Sequence, residues 1–233
     1  TEFGERADIS PDNQRVAFMA KSFGDAMVVD LKTRKITCLT CSVPAAAFLR
    51  VMHLANGDYI LIGPDHFENI QISRSRDNEL WYLSKDRGAK PVKFGERMSE
   101  GMAISKTSMK IAYSQVHAQV NEIPAGASRL VVADVVVRDG TPSLANKTVV
   151  YESKDNGCTI EAQDFYDNDT KMTFTCYEPR GRPSGVGSGL APRQVVVGRV
   201  RPPFGHQRIA GVVADRLRDD RLGVVDVAEK PRV

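Results

Sequence analysis

The chain has 233 residues, 42% of them hydrophobic and 26% charged, which is enough for one large domain or two small ones with a buried core. No run approaches the ~18 consecutive apolar residues that a membrane-spanning helix requires. The net charge of +3 is unevenly spread, with 21 Lys and Arg against 24 Asp and Glu in residues 1–179 and 11 against 5 in residues 180–233, so the body lacks the clustered basic charge of a nucleic-acid-binding domain.

Along the chain, one segment recurs. Its copies run without gaps from Glu5 to Phe18, from Glu100 to Tyr113 and from Glu161 to Phe174, and a shorter one runs from Arg50 to Ile62. In the three longer copies an apolar residue (Ile9, Ile104, Phe165) precedes a polar turn. A basic residue (Arg15, Lys110, Lys171) and an aromatic (Phe18, Tyr113, Phe174) then follow at fixed spacing. This is the pattern of a hairpin, two β-rich runs joined by residues that tolerate turn geometry. Ser10-Pro11-Asp12-Asn13 and Asn56-Gly57 are such turns.

A second hairpin follows in each of the first three units. Met27 to Leu31 pairs with Ile36 to Leu39 across Lys32 to Lys35, and Leu80 to Leu83 with Pro91 to Phe94 across a loop containing Gly88. Leu130 to Val137 pairs with Thr148 to Tyr151 across Asp139 to Pro142. Two hairpins make four strands, and the units begin 45, 50 and 61 residues apart, close to the period of roughly 40–50 residues for a propeller blade. No 3.6-residue apolar periodicity supports a helical solenoid instead.

Asp8-Ile9-Ser10-Pro11-Asp12-Asn13-Gln14-Arg15-Val16-Ala17-Phe18, followed by Val28 to Leu31 and Cys38-Leu39-Thr40, resembles the repeat of the TolB-type β-propellers. Asn13 stands where that repeat usually has Gly. The second and third units lack the Ser-Pro-Asp, and the fourth keeps only Asp167-Asn168-Asp169. The resemblance implies an all-β fold, a partial β-propeller of about four four-stranded blades with an irregular C-terminal tail. It leaves function open, since such blades serve binding proteins, peptidase gates and lyases.

The expected division is a propeller segment over residues 1–179 and a tail over 180–233. That tail holds ten Arg against one Lys, with eight Gly and five Pro. One reading is a basic, partly disordered extension with short strands at Gln194 to Val197 and Leu222 to Asp226. The other is a change of reading frame near Pro179, because Arg, Gly, Pro, Ala and Val are favoured by GC-rich codons.

Glu5, Arg50, Glu100 and Glu161 occupy one position, just before the first strand of each unit. In a propeller that strand lines the central channel, so the four ring its mouth, either as ligand-binding groups or as solvated strand ends. Three residues on stand Asp8, His53, Ala103 and Asp164, where a His between carboxylates suits a metal or acid–base chemistry, against the stronger reading that Asp here bonds turn backbone and the single His is structural. Asp167 to Asp169 lacks the downstream Gly and Glu of a calcium loop. His66 and His117 have no partner at diagnostic spacing, and no nucleophile elbow, phosphate loop or dinucleotide fingerprint occurs. Trp81 and Tyr82 read as core.

Cys38 and Cys41 form a Cys-Xaa-Xaa-Cys, compatible with redox, zinc or disulfide roles. Cys158 and Cys176 flank one hairpin and suit a cross-strand disulfide. Asn146-Lys147-Thr148 and Asn168-Asp169-Thr170 are glycosylation sequons. The expected protein is an exported, non-catalytic propeller that binds a protein, peptide or glycan at its channel face, with no cofactor, no metal, no nucleic acid and no membrane span. The alternatives are a metal-dependent enzyme resembling oligogalacturonate lyases, which use channel-facing His, and the gating propeller of a serine peptidase. Sequencing the transcript across codon 179 tests the frame-change reading: a shifted frame is its expected result, and an intact frame in close relatives overturns it.

Overall fold

The computed structural model describes residues 3–44, 47–153 and 159–177, of which Cys176 and Tyr177 by backbone alone, together with the backbone of 194–199. Its strands form consecutive antiparallel meanders, each strand bonded to its neighbour in sequence. The first sheet holds β1 (Glu5–Ile9), β2 (Arg15–Met19), β3 (Ala26–Asp30) and β4 (Ile36–Cys38). The second holds β5 (Arg50–His53), β6 (Tyr59–Pro64), β7 (Asn78–Leu83) and β8 (Val92–Arg97). The third holds β9 (Met102–Ile104), β10 (Lys110–Val116), β11 (Ser128–Arg138) and β12 (Thr141–Ser153). The fourth has β13 (Thr159–Tyr166), β14 (Lys171–Tyr177) and β15 (Gln194–Arg199).

Consecutive sheets pack face to face, and the alternation of side chains along each strand decides which residues meet. On β6, Tyr59 and Leu61 turn toward the first sheet and join Ala17, Met19, Ala26 and Val51. Ile60 and Ile62 turn the other way, to Tyr113, Met102 and Val131 of the third sheet. Beyond it, Ala112, Leu130 and Val132 meet Ile160, Met172 and Phe174 of the fourth. A strand buried on both faces reads as an unbroken apolar run, as Tyr59 to Ile62 does. Trp81 and Tyr82 belong to this packing on opposite faces of β7, Trp81 edge-on to Phe48 and Tyr82 donating to Asp58 at 2.7 Å.

The first strands of the sheets gather along one axis. Lys106, just after β9, reaches Asp8 of β1 at 2.7 Å, and Arg6 reaches Glu100 at 3.1 Å. His53 of β5 bonds Asp8, and Gly101 lies against Glu161 of β13. Sheets stacked face to face with their first strands at a common axis are the blades of a β-propeller segment.

Equivalent cross-strand pairs fix the correspondence between blades. Ile9 faces Val16, His53 faces Tyr59, Ile104 faces Ile111 and Phe165 faces Met172. Ile104 and Phe165 are buried at 2% and 9%, whereas Ile9 is 46% exposed. Ile9 and Ile36 lie on the face of the first sheet directed away from the second, which no sheet of the described residues covers.

Two expectations change in detail. His53 does not correspond to Asp8: β1 and β13 each contain a register shift, between Glu5 and Asp8 and between Ala162 and Asp164, and β5 has none. The extra residue offsets the count by one, so Met52 takes the row of Asp8, Ala103 and Asp164. Pro142 is not in the loop but in β12, opposite Val137. The turn is Asp139-Gly140, both at positive φ, and β12 is an edge strand, where Pro leaves no ladder bond unmade. Where a short strand at Gln194 to Val197 was one expectation, Gln194–Arg199 pairs with β14 as a third strand of the fourth sheet. Leu222 to Asp226 lies outside the described residues.

Close approach of β9 to β13 requires Gly101, where a Cβ would stand 2.5 Å from Glu161 Cβ and 2.8 Å from its Cα. Gly101→Ala is therefore expected to destabilise the protein by about 1–3 kcal/mol, read as a lower urea midpoint. An unchanged midpoint would contradict this packing.

Candidate functional site

At one end of the axis, three arginines surround a single carboxylate. Arg50 faces Ile62, Glu5 faces Met19 and Glu161 faces Thr175, so these three share a row. Glu100 stands just ahead of β9 and is 14% exposed. Its Oε1 accepts from Arg6 Nη1 at 3.1 Å and from Arg74 Nη2 at 2.8 Å, and Arg50 Nη2 lies 3.9 Å away. Arg74 Nε also contacts Glu100 Oε2. Glu5 Oε1 is 4.0 Å from Arg6 Nε.

Burial alone would raise the Glu100 pKa, but hydrogen bonds and charge from Arg74 and Arg6 overcome it and hold the carboxyl below its usual range. Arg50 is also held below its usual value, which in its case disfavours the charged form. Burial lowers its pKa first and the neighbouring Arg6 adds to this, against the raising effect of Glu100 and Glu161. Two guanidinium Nε atoms, those of Arg6 and Arg50, are enclosed without a hydrogen-bond partner.

Arg6 and Arg74 are absent from the column read in the sequence. Arg6 sits within the register shift of β1 at φ 56°, which detaches it from the alternation. Arg74 comes from the long β6–β7 connection. There Asn69 Oδ1 accepts from the amides of Gln71 and Ile72, and the turn Ile70–Ile72 leads into a wider π turn at Ser73–Asp77. The length of that connection, far beyond a tight hairpin, was the available signal.

Further along the axis, Asp8 joins three blades. Its Oδ2 accepts from the His53 amide at 2.8 Å and lies 3.0 Å from His53 Nδ1, while Oδ1 accepts from Lys106 Nζ at 2.7 Å. Burial opposes ionisation, yet the two His53 hydrogen bonds and Lys106 keep the Asp8 pKa low. The His53 ring is fully buried beside Tyr59, with its Nδ1 engaged by Asp8. That enclosure weighs against the lyase-type alternative, which needs a channel-facing imidazole. Asp164 is exposed on β13 and, among the described residues, is brought into neither cluster.

The turn Asp167 to Asp169 serves the packing of blades. Its three residues have φ near 54°, 52° and 61°, and Asp169 Oδ2 accepts from Ser105 Oγ at 2.6 Å and Ser108 Oγ at 2.8 Å of the third blade. Cys38 and Cys41 are joined as a disulfide with Cα atoms 5.7 Å apart, beside Asp25. Cys158 and the side chain of Cys176 lie outside the described residues. No helix among the described residues is long and apolar enough to cross a membrane.

No protein-family model and no curated protein matches the chain. Similar solved structures include TolB from Acinetobacter baumannii, at 15% identity and a TM-score of 0.48, covering 74% of this chain and 37% of that one. The acylaminoacyl peptidase of Pyrococcus horikoshii is 15% identical at a TM-score of 0.47, covering 76% and 29%. A nidogen/laminin complex gives 10% identity and a TM-score of 0.48, covering 82% and 64%. The chain thus spans less than two thirds of each of these chains.

Stability from a carboxyl with a depressed folded pKa is complete above its ordinary value, 4.5 for Glu100, and is lost as pH falls through the folded value. Glu100→Gln is expected to cost about 1–3 kcal/mol near neutral pH, discounted for the exposure of Arg74. The gap to the parent protein should narrow in denaturation series run below about pH 4. A gap independent of pH would show that Glu100 acts by packing alone.

Proposed function

We propose that this chain is a binding module of an exported β-propeller protein, non-catalytic, whose channel mouth receives an acidic group of a protein, peptide or glycan ligand. The observation that carries the reading is the convergence of Arg6, Arg50 and Arg74 on Glu100 at the axis. Arginine presents a planar fork of donors suited to carboxylates. Arg50 is the least committed of the three, at 3.9 Å from Glu100 with its side chain 28% exposed. A ligand carboxylate that engages Arg50 adds a partner to a guanidinium that burial disfavours, which makes its binding sensitive to this one residue.

Two observations support export. The Cys38–Cys41 disulfide suits an oxidising compartment. Both sequon asparagines, Asn146 and Asn168, are exposed, as acceptors of glycans must be.

The test is binding of the full chain to a panel of acidic peptides and uronate-bearing oligosaccharides, followed by surface resonance. A bound member should lose about tenfold or more in affinity with Arg50→Ala, worth about 1.4 kcal/mol. It should be indifferent to Lys147→Ala on the outer strand β12. Equal loss in both variants, or no effect of Arg50→Ala, would remove the mouth as the site.

A further inference from the structure

The first blade ends in two sulfurs and a carboxylate held together by the sheet. Asp25, Cys38 and Cys41 each bring a ligand atom within 4.8 Å of the others. Cys38 closes β4 opposite Met27, and the Leu39 amide donates to Ala26 O at 2.8 Å, so both arms of the cluster are anchored in the ladder. Asp25 is held from behind. Thr40, fully buried, accepts from the Ala26 amide at 3.0 Å and donates to Asp25 Oδ1 at 2.8 Å. A carboxylate bonded through one oxygen keeps another to offer. An outer hydrogen bond that orients a ligating group is the usual support of a metal site.

The backbone also favours sulfur as an anion. The Cys41 amide donates to Cys38 Sγ at 3.0 Å. An N–H directed at sulfur stabilises the thiolate, the form that binds metals. The two-residue spacing matches one half of many zinc sites. Tetrahedral zinc with Zn–S bonds of about 2.3 Å needs sulfurs roughly 3.8 Å apart, which side-chain rotation supplies while the Cα atoms stay 5.7 Å apart. Cys41 is exposed, so an ion can enter from solvent.

We propose that the Cys38–Cys41 disulfide is the metal-free, oxidised state of a redox-controlled zinc site, whose reduced state binds Zn²⁺ through Cys38 Sγ, Cys41 Sγ and the Asp25 carboxylate. A dithiol reductant breaks the S–S bond, delivers two electrons and two protons, and itself leaves as a disulfide. Zinc then displaces both thiol protons, and water completes the fourth position. A disulfide-bearing oxidant reverses the sequence: two electrons pass to it, the S–S bond re-forms and the ion is released. Two thiolates and one carboxylate favour zinc over calcium or magnesium, which require oxygen ligands. This departs from the expectation of a metal-free protein.

The experiment uses Co²⁺ as a spectroscopic stand-in for zinc, with the full chain carrying Cys158→Ser and Cys176→Ser so that one cysteine pair remains. Protein reduced with a phosphine and desalted under argon is expected to take up one equivalent of Co²⁺. Thiolate-to-cobalt charge-transfer and tetrahedral ligand-field bands should appear, and Zn²⁺ should displace them. The same protein left oxidised should show neither. Cys38→Ser should abolish the bands, and Asp25→Asn should weaken Zn²⁺ binding by roughly tenfold or more. If the serine replacements prevent folding, the reduced-against-oxidised comparison is made on the parent chain with Asp25→Asn as the variant. Absence of cobalt bands in reduced protein, equal uptake in both redox states, or indifference to Asp25→Asn would each overturn the proposal.

Discussion

Burial between consecutive sheets is the constraint on which the remaining structure depends. A short antiparallel sheet with two apolar faces is unstable until both are covered. The second blade meets this condition most fully: every residue of β6 is buried, and its side chains alternate between the first and third sheets. The stacking gives each blade its angle, and the angle brings the first strands together. The charged clusters on the axis are therefore consequences of apolar packing at a distance from them.

On the axis itself the rule reverses, because first strands from several blades present polar groups to one another. Glu100 and Asp8 answer the cost of burying charge in the same manner, each gathering donors from other blades. Asp8 and Glu100 are equally enclosed, at 13% and 14% exposed. Each also encloses an unmatched nitrogen, the Nε of Arg6 and of Arg50 about Glu100 and the His53 Nε2 beside Asp8. Both clusters therefore join blades.

The hairpins were legible in the sequence because period-two apolar patterns and turn residues are local properties. Asp8 to Phe18 states its own turn, and Tyr59 to Ile62 states its burial. The row of Glu5, Arg50 and Glu161 was legible from the aligned starts of the recurring segment, although the count to the turn is one residue longer in β1 and β13 than in β5. What the sequence hid is non-local or breaks the count. Arg6 enters through a register shift and Arg74 through an irregular connection. The offset of His53 followed from an extra residue in β1 that β5 lacks. Asp25 becomes the neighbour of Cys38 and Cys41 only once β3 and β4 pair, across Thr40.

The extra residue in the first and fourth blades has a consequence for how such modules diverge. A one-residue insertion in a regular strand would invert every side chain beyond it, exchanging interior for exterior. Here the phase slip is confined between the mouth position and the turn, so the two ends of the strand are threaded independently. Drift can lengthen or shorten this stretch and change which side chain meets the other blades at the axis while the sandwiching faces stay as they were. The innermost strand can thereby change what it presents at the axis at small cost to the architecture.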